Sequence, residues 1–375
     1  MKQFCKRLFA GVAVSLTAAA AVTPAMAEGE KFKIFLSMSY IGNDWQAEAT
    51  NMLQAMALHP SYRDKVDLKV QVAGPNAQKQ IQQINSMVQA GADAIVVYPI
   101  SPTALNGAVK NACAKGVMVI AYDSIIEEPC AYNVHIDQNE WGRLSAEWLV
   151  EKLGGKGDIL MITGVPGTTV DTKRNESARE VFAKHPDIKI VGEAPGMWSQ
   201  AVARTEISKI LATRSWDQID GVWIQAGCFT VNSMQSEAGV KDEDLVPCAG
   251  EASNGGRIQM LPVGTEVEGA DGTYRPMGAK RWSSGSQNFT GALALKIAVA
   301  KLEGQEVPQL TNVPQNIVTN ENIKLCAEGT WKEVSEGCNV FQPSIISNPG
   351  WFASIYSELT PEVGLQAALF GQPDE

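Results

Sequence analysis

Hydrogen-bonding and aromatic residues fall at the ends of apolar runs and in the turns that follow them: Asn43, Asp44, Trp45, Asp123, Ser124, Asp171, Arg174, Trp198, Gln225 and Glu251. Carboxylates, amides and a guanidinium hydrogen-bond to hydroxyls, and indole faces pack against C–H surfaces. The set therefore points to reversible binding of a small, hydroxyl-rich molecule. Several members have a second reading. Asn43 or Asp44 can cap a helix, Trp45 and Trp198 can face either core or ligand, and Trp223, inside an apolar strand, reads as core. Other chemistry finds no comparable pattern. His59, His135 and His185 lie far apart without ligand spacing, so no metal site is expected. Gly154, Gly155 and Gly157 follow a helix and precede a strand, the reverse of a dinucleotide loop. No phosphate loop, nucleophile elbow or cysteine–histidine pair is evident, so the expectation is a binding protein without cofactor, not an enzyme.

These residues depend on the elements before them. Residues 94–98 and 117–122 are short apolar runs rich in β-branched side chains, as expected of parallel strands buried on both faces. Between them, residues 102–115 open on Pro102, suited to a first helical turn, and stop at Gly116, suited to the position after a helix. The crevice beyond the carboxyl ends of such strands is where ligands sit, so Tyr98-Pro99 and Asp123-Ser124 point toward a site. Strands at 32–37 and 68–72 and helices at 47–58 and 76–89 complete the first half.

The alternation begins again after an extended piece at residues 133–137, with helices at 141–152, 172–184, 201–213 and 230–238 and strands at 158–163, 188–191 and 221–225. Two successive α/β units imply two Rossmann-like lobes with parallel sheets, a cleft between them and a hinge whose first strand is near 132–137. The expected division is residues 28–134 plus about 283–325 for the first lobe, 135–282 for the second, and an extension at 326–375. A hairpin turning at Asp271-Gly272 is expected within 264–277, and a long helix over 287–302. The extension lacks periodicity and offers Trp351, Phe352 and Tyr356 as aromatic anchors.

At 375 residues and 45% apolar content the chain can fill two cores. Lys2, Lys6 and Arg7 precede an apolar run and the small residues Ala25-Met-Ala27, so residues 1–27 are expected to be a secretory signal peptide; the run is too short and interrupted to span a membrane. Its removal takes away three basic residues and no acidic one, moving the formal charge from −10 to −13. So acidic a chain does not suggest nucleic acid or an anionic membrane as partner. Of 7 cysteines, Cys5 lies in the leader, and the other 6 are an even number for an oxidising compartment. Local spacing favours Cys113 with Cys130, Cys228 with Cys248 and Cys326 with Cys338, buried free thiols being the alternative.

The whole resembles the periplasmic sugar-binding proteins of ABC importers, of the ribose and galactose type. The carrying segments are Gly91-Ala-Asp-Ala-Ile-Val-Val-Tyr-Pro, Gly116-Val-Met-Val-Ile-Ala-Tyr-Asp123 and Gly164-Val-Pro-Gly-Thr-Thr-Val-Asp-Thr-Lys-Arg174, within a similarity running from about 31 to 308. The resemblance implies the type I periplasmic-binding-protein fold: two lobes joined by three hinge crossings, closing on a small sugar or polyol and presenting it to a membrane permease, as a periplasmic monomer. It also implies that Asp123 binds sugar hydroxyls, that Arg174 lies in the loop-to-helix turn of the second lobe, and that 43–45 is the polar and aromatic turn after the first strand. Glu251 stands where the family has an aspartate. Ser124 replaces a frequent arginine, and Ala226-Gly227 replaces an Asn-Asp pair. A standard pyranose would lose partners there, which leaves open a modified sugar or a ligand such as autoinducer-2, whose binding proteins Asp123 and Asp171 also resemble. A repressor with this core would need a DNA-binding headpiece before the first strand, and an exported enzyme would have to turn over what the cleft binds.

Overall fold

A computed structural model describes residues 30–374; the expected leader and Cys5 lie outside the described residues. The chain forms β1 (Phe32–Met38), α1 (Asp44–Leu58), β2 (Val66–Val72), α2 (Ala77–Gln89), β3 (Ala94–Tyr98), α3 (Asn106–Ala114), β4 (Met118–Tyr122) and β5 (Tyr132–His135). After the first crossing come α4 (Gln138–Lys152), β6 (Gly157–Thr163), α5 (Thr169–Phe182), β7 (Ile188–Pro195), α6 (Gln200–Leu211), β8 (Gly221–Ile224), α7 (Cys228–Glu237), β9 (Cys248–Gly250), α8 (Asn254–Met260) and β10 (Arg281–Ser283). The last elements are α9 (Thr290–Leu302), β11 (Leu310–Asn312), β12 (Val318–Thr319), α10 (Trp331–Ser335) and α11 (Leu365–Phe370).

Two six-stranded sheets result, in the orders β11-β5-β4-β3-β1-β2 and β12-β10-β9-β8-β6-β7. All pairs are parallel except β10 with β12. Every residue of β3, β4 and β8 is buried, because helices cover both faces and leave no polar side to the strand. Side chains fix the helix starts. Asn43 accepts from Gln46 N at the head of α1, Asp137 from Asn139 N and Glu140 N at α4, and Thr168 from Asp171 N at α5. Gly142 of α4 faces Arg174 of α5, where any Cβ would collide with the Arg174 carbonyl, so glycine is what lets the two helices approach.

The chain crosses between lobes at 136–137, between β10 and α9, and between β11 and β12. The segment 283–325, expected to belong to the first lobe, is thus divided: α9 and β11 pack there, but β12 joins the second sheet through Trp282–Thr319 and Ser283–Val318. A fourth connection comes from the extension. Asn339 and Phe341 bond to Arg257 and Asn254 of the second lobe, and further along α11 packs on α1 of the first, with Asn51 Nδ2 donating to Ala368 O at 2.9 Å.

Several local expectations differ from the structure: β7 runs four residues past the expected 188–191, and the helix expected from 287 starts at Thr290. Helix α3 starts at Asn106, because Pro102 opens a turn held by Ser101 Oγ, which accepts from Ala104 N at 3.2 Å. No hairpin of paired strands forms over 264–277. A single bridge joins Asp271 and Tyr274, and side chains hold the segment instead, with Gln259 Nε2 donating to Thr273 O at 3.0 Å and Tyr274 OH to Ile346 O at 2.7 Å. The six cysteines stand in the three locally spaced pairs, with Cα separations of 6.4, 5.9 and 5.2 Å.

Candidate ligand cavity

A cavity opens between the two sheets beyond the carboxyl ends of their strands. Asn43 and Trp45 follow β1, Tyr98 ends β3 and Asp123 follows β4; from the second lobe Val170 and Arg174 lie on α5, Trp198 follows β7, Gln225 and Ala226 follow β8 and Glu251 follows β9. Gly285 and Ser286 arrive on the second crossing and Phe352 on the extension. Its volume is about 40 Å³.

Seven of the ten expected site residues therefore meet at one place, and three do not. Asp44 accepts from Asn348 Nδ2 at 2.9 Å and holds the extension. Asp171 is consumed by its own loop, accepting from Gly164 N at 2.6 Å and from Asn175 and Gln225 side-chain amides at 3.0 Å. Ser124 is buried off the cavity with its N–H on Tyr122 O. Asp44 and Asp171 are taken up by donors that the tertiary structure brings beside them, and the Ser124 hydroxyl is buried without a hydrogen-bond partner among the described residues.

Asp123 has φ 60°, a conformation that Asp and Asn tolerate better than other side chains, and its N–H donates to Val134 O at 2.8 Å. Its Oδ1 accepts from Gln138 Nε2 at 3.3 Å, while Gln138 Oε1 accepts from Arg174 Nε at 2.7 Å, so one buried amide joins the two charges. Arg174 Nη2 also donates to Ser286 Oγ at 3.2 Å, and its guanidinium lies 4.1 Å over the Trp141 ring. Trp141 meets Trp223 and Trp282 edge-on at 5.9 and 5.2 Å, and Trp223 Nε1 donates to Ser145 Oγ. This aromatic floor makes Trp223 core, and it fixes the face on which Arg174 lies.

The aromatic walls are held as firmly. Trp45 Nε1 donates to Ser286 O at 2.8 Å, and its ring stands 5.8 Å from Tyr98 and 6.4 Å from Tyr122. Met197 and Trp198 are consecutive residues with φ 55° and 52°, strain of the kind stored at binding sites. Trp198 Nε1 donates to Gln225 Oε1 at 2.8 Å over Gly164, where a Cβ would collide with the indole. Glu251 accepts from Gly227 N at 2.9 Å and Gln200 Nε2 at 3.1 Å. Tyr98, which the strand reading points toward the site, does line the cavity, whereas Val170, Gly285, Ser286 and Phe352 in its wall, and Gln138 behind it, lie outside the expected set.

Burial raises the Asp123 carboxyl above its ordinary value, with Arg174 opposing, and pulls Arg174 down to about 10 against the pull of Asp123. Burial also raises Asp44 and Asp171, and pushes Glu48 on α1 well above its ordinary value. An acid held above its unfolded value stays protonated longer in the native state, so its contribution is full below the ordinary 3.8 to 4.5 and declines as pH rises toward the raised values. His135 runs the other way: burial lowers it, so it costs stability as pH falls below 6.5. Glu48 is pushed furthest, so its contribution to the stability of the ligand-free protein should decline as pH rises, and Glu48→Gln should make the melting temperature fall less, or rise more, between pH 5 and pH 7 than in the parent. An unchanged slope in E48Q would remove Glu48 as a source.

Among the described residues no group of histidine, cysteine, aspartate and glutamate could hold a metal ion, and no helix is long and apolar enough to cross a membrane. Residues 34–306 match the model of the periplasmic binding protein domain. The chain is 26% identical over 268 residues to the xylitol-binding protein of Mycolicibacterium smegmatis, covering 71% of this chain and 72% of that one. It is 25% identical over 274 residues to the D-xylose-binding periplasmic protein of Escherichia coli, covering 67% and 75%. An ABC transporter solute binding protein from Thermobispora bispora superposes with a TM-score of 0.68 at 24% identity, covering 86% of this chain and 90% of that one, a likeness of fold.

Proposed function

Because the chain belongs to the periplasmic binding protein domain family, we propose that it is an exported solute-binding protein that carries a small sugar or polyol to the permease of an ABC importer. One observation supports this most: a cavity beyond the strand ends is walled from both lobes, with Trp45, Tyr98 and Trp198 offering ring faces and Asn43, Asp123, Arg174, Gln225 and Glu251 offering hydrogen-bonding groups around it. Such a lining suits a molecule with C–H faces and a ring of hydroxyls. The relatives named for xylitol and D-xylose favour the same class of cargo. A volume of about 40 Å³ is tight for a five- or six-carbon ligand, so entry requires the lobes to part at their crossings and close again, which gives a permease two shapes to distinguish.

The roles of the lining residues, export through the leader, three closed disulfides and a monomeric state belong to this proposal. Mass spectrometry of the protein recovered from the periplasm tests it in one sample. The chain should begin at Glu28, weigh six hydrogens less than its reduced form, run as a monomer under native conditions and release a sugar or polyol unchanged. A chain retaining Met1, or a bound compound converted to product, would overturn export or binding respectively.

A further inference from the structure

The family match ends at residue 306, yet one wall of the cavity is Phe352. This is no loose tail laid over the opening. Both lobes hold it. Glu48 of α1, itself fully buried, accepts from Phe352 N at 2.9 and 3.2 Å and is kept in place by Asn288 Nδ2 at 2.9 Å. From the second lobe, Ala353 N donates to Ala252 O at 3.2 Å, while Asn254 N and Gly255 N donate to Trp351 O and Pro349 O at 2.6 and 2.9 Å. Two glycines let the segment lie so close: a Cβ at Gly255 would meet Pro349, and one at Gly350 would meet Asp44. The Phe352 ring is 7% exposed and stands against Gly285 of the second crossing, 3.4 Å from where a Cβ would be.

We propose that Phe352 is a specificity-determining residue: the extension places an aromatic wall inside the ligand cavity, and Glu48 positions it by gripping its amide. The proposal rests on the reading of this cavity as the sugar or polyol site. A phenyl ring offers no hydrogen bond, so it can only cover an apolar face of a ligand or occupy space that a larger ligand would need. In a cavity of about 40 Å³, a rigidly held ring limits the size of what can enter.

The test compares the mature parent, Phe352→Ala, Phe352→Leu, Glu48→Ala and Asp123→Asn by calorimetry with xylitol, D-xylose, D-allose and myo-inositol. Phe352→Ala should shift the affinity of the six-carbon compounds relative to the five-carbon ones by tenfold or more in favour of the larger. Glu48→Ala should shift it in the same direction by less, an outcome that simple loss of stability would not produce. Should Phe352→Ala fail to fold, Phe352→Leu carries the comparison. If the ratio stays within threefold of the parent while Asp123→Asn weakens all binding, the proposal is wrong and the cavity reading stands. If neither the parent nor any Phe352 variant binds a member of the set, the cavity reading fails and the proposal with it.

Discussion

Asp123→Asn is expected to weaken binding of the co-purifying ligand by about tenfold to a hundredfold, the equivalent of about 1.5–3 kcal/mol for a charged hydrogen-bond partner in a closed cleft. The carboxylate is buried at the cavity wall, where Gln138 Nε2 donates to one oxygen across a long 3.3 Å and the Ser286 hydroxyl helps hold its charge. It therefore retains acceptor capacity for ligand hydroxyls. Asparagine is the informative replacement. Asp123 has φ 60°, which Asn tolerates, whereas Ala there adds about 1–2 kcal/mol of backbone strain and mixes a folding cost into the affinity. Calorimetry on the native ligand decides the point: affinity equal to the parent's removes Asp123 from the site.

That Asp123 could be singled out from sequence, and Phe352 could not, has a physical basis. Parallel strands buried on both faces are legible as unbroken apolar runs, and in such a sheet the residue just past a strand faces the crevice. Asp123, Gln225 and Glu251 are legible in that way, and Trp45 from the first turn of the helix that follows β1. Arg174 and Trp198 came from the loop-to-helix turns, and Trp198 also carries a backbone strain that no residue pattern announces. Phe352 comes from a tail without periodicity, brought to α1 by Glu48 across 304 residues of chain. The same limit explains Asp44 and Asp171. First-turn carboxylates look alike in sequence, and whether one faces a ligand or a neighbouring amide depends on partners such as Asn348 or Gln225 that tertiary structure brings there.

Arg174→Ala should cost about 3–5 kcal/mol of folding stability, the range for leaving one member of a buried charge pair uncompensated. Three supports disappear together: the Nε bond to Gln138, the Nη2 bond to Ser286 and the contact with the Trp141 face. What remains is the larger problem. Asp123 keeps its burial but loses the cation that held its carboxyl down, so its pKa should climb further from the ordinary value. Two outcomes follow from that cause and not from lost packing alone. Lowering the pH from 7 to 5 should restore part of the lost denaturation midpoint, because a protonated Asp123 no longer needs a counter-charge. Adding Asp123→Asn to Arg174→Ala should cost less than the two changes summed, since the groups share Gln138 and interact across it. Additive losses with no recovery at pH 5 would mean that Arg174 serves the fold by packing on Trp141 and that the charge pair is not what organises this wall of the cavity.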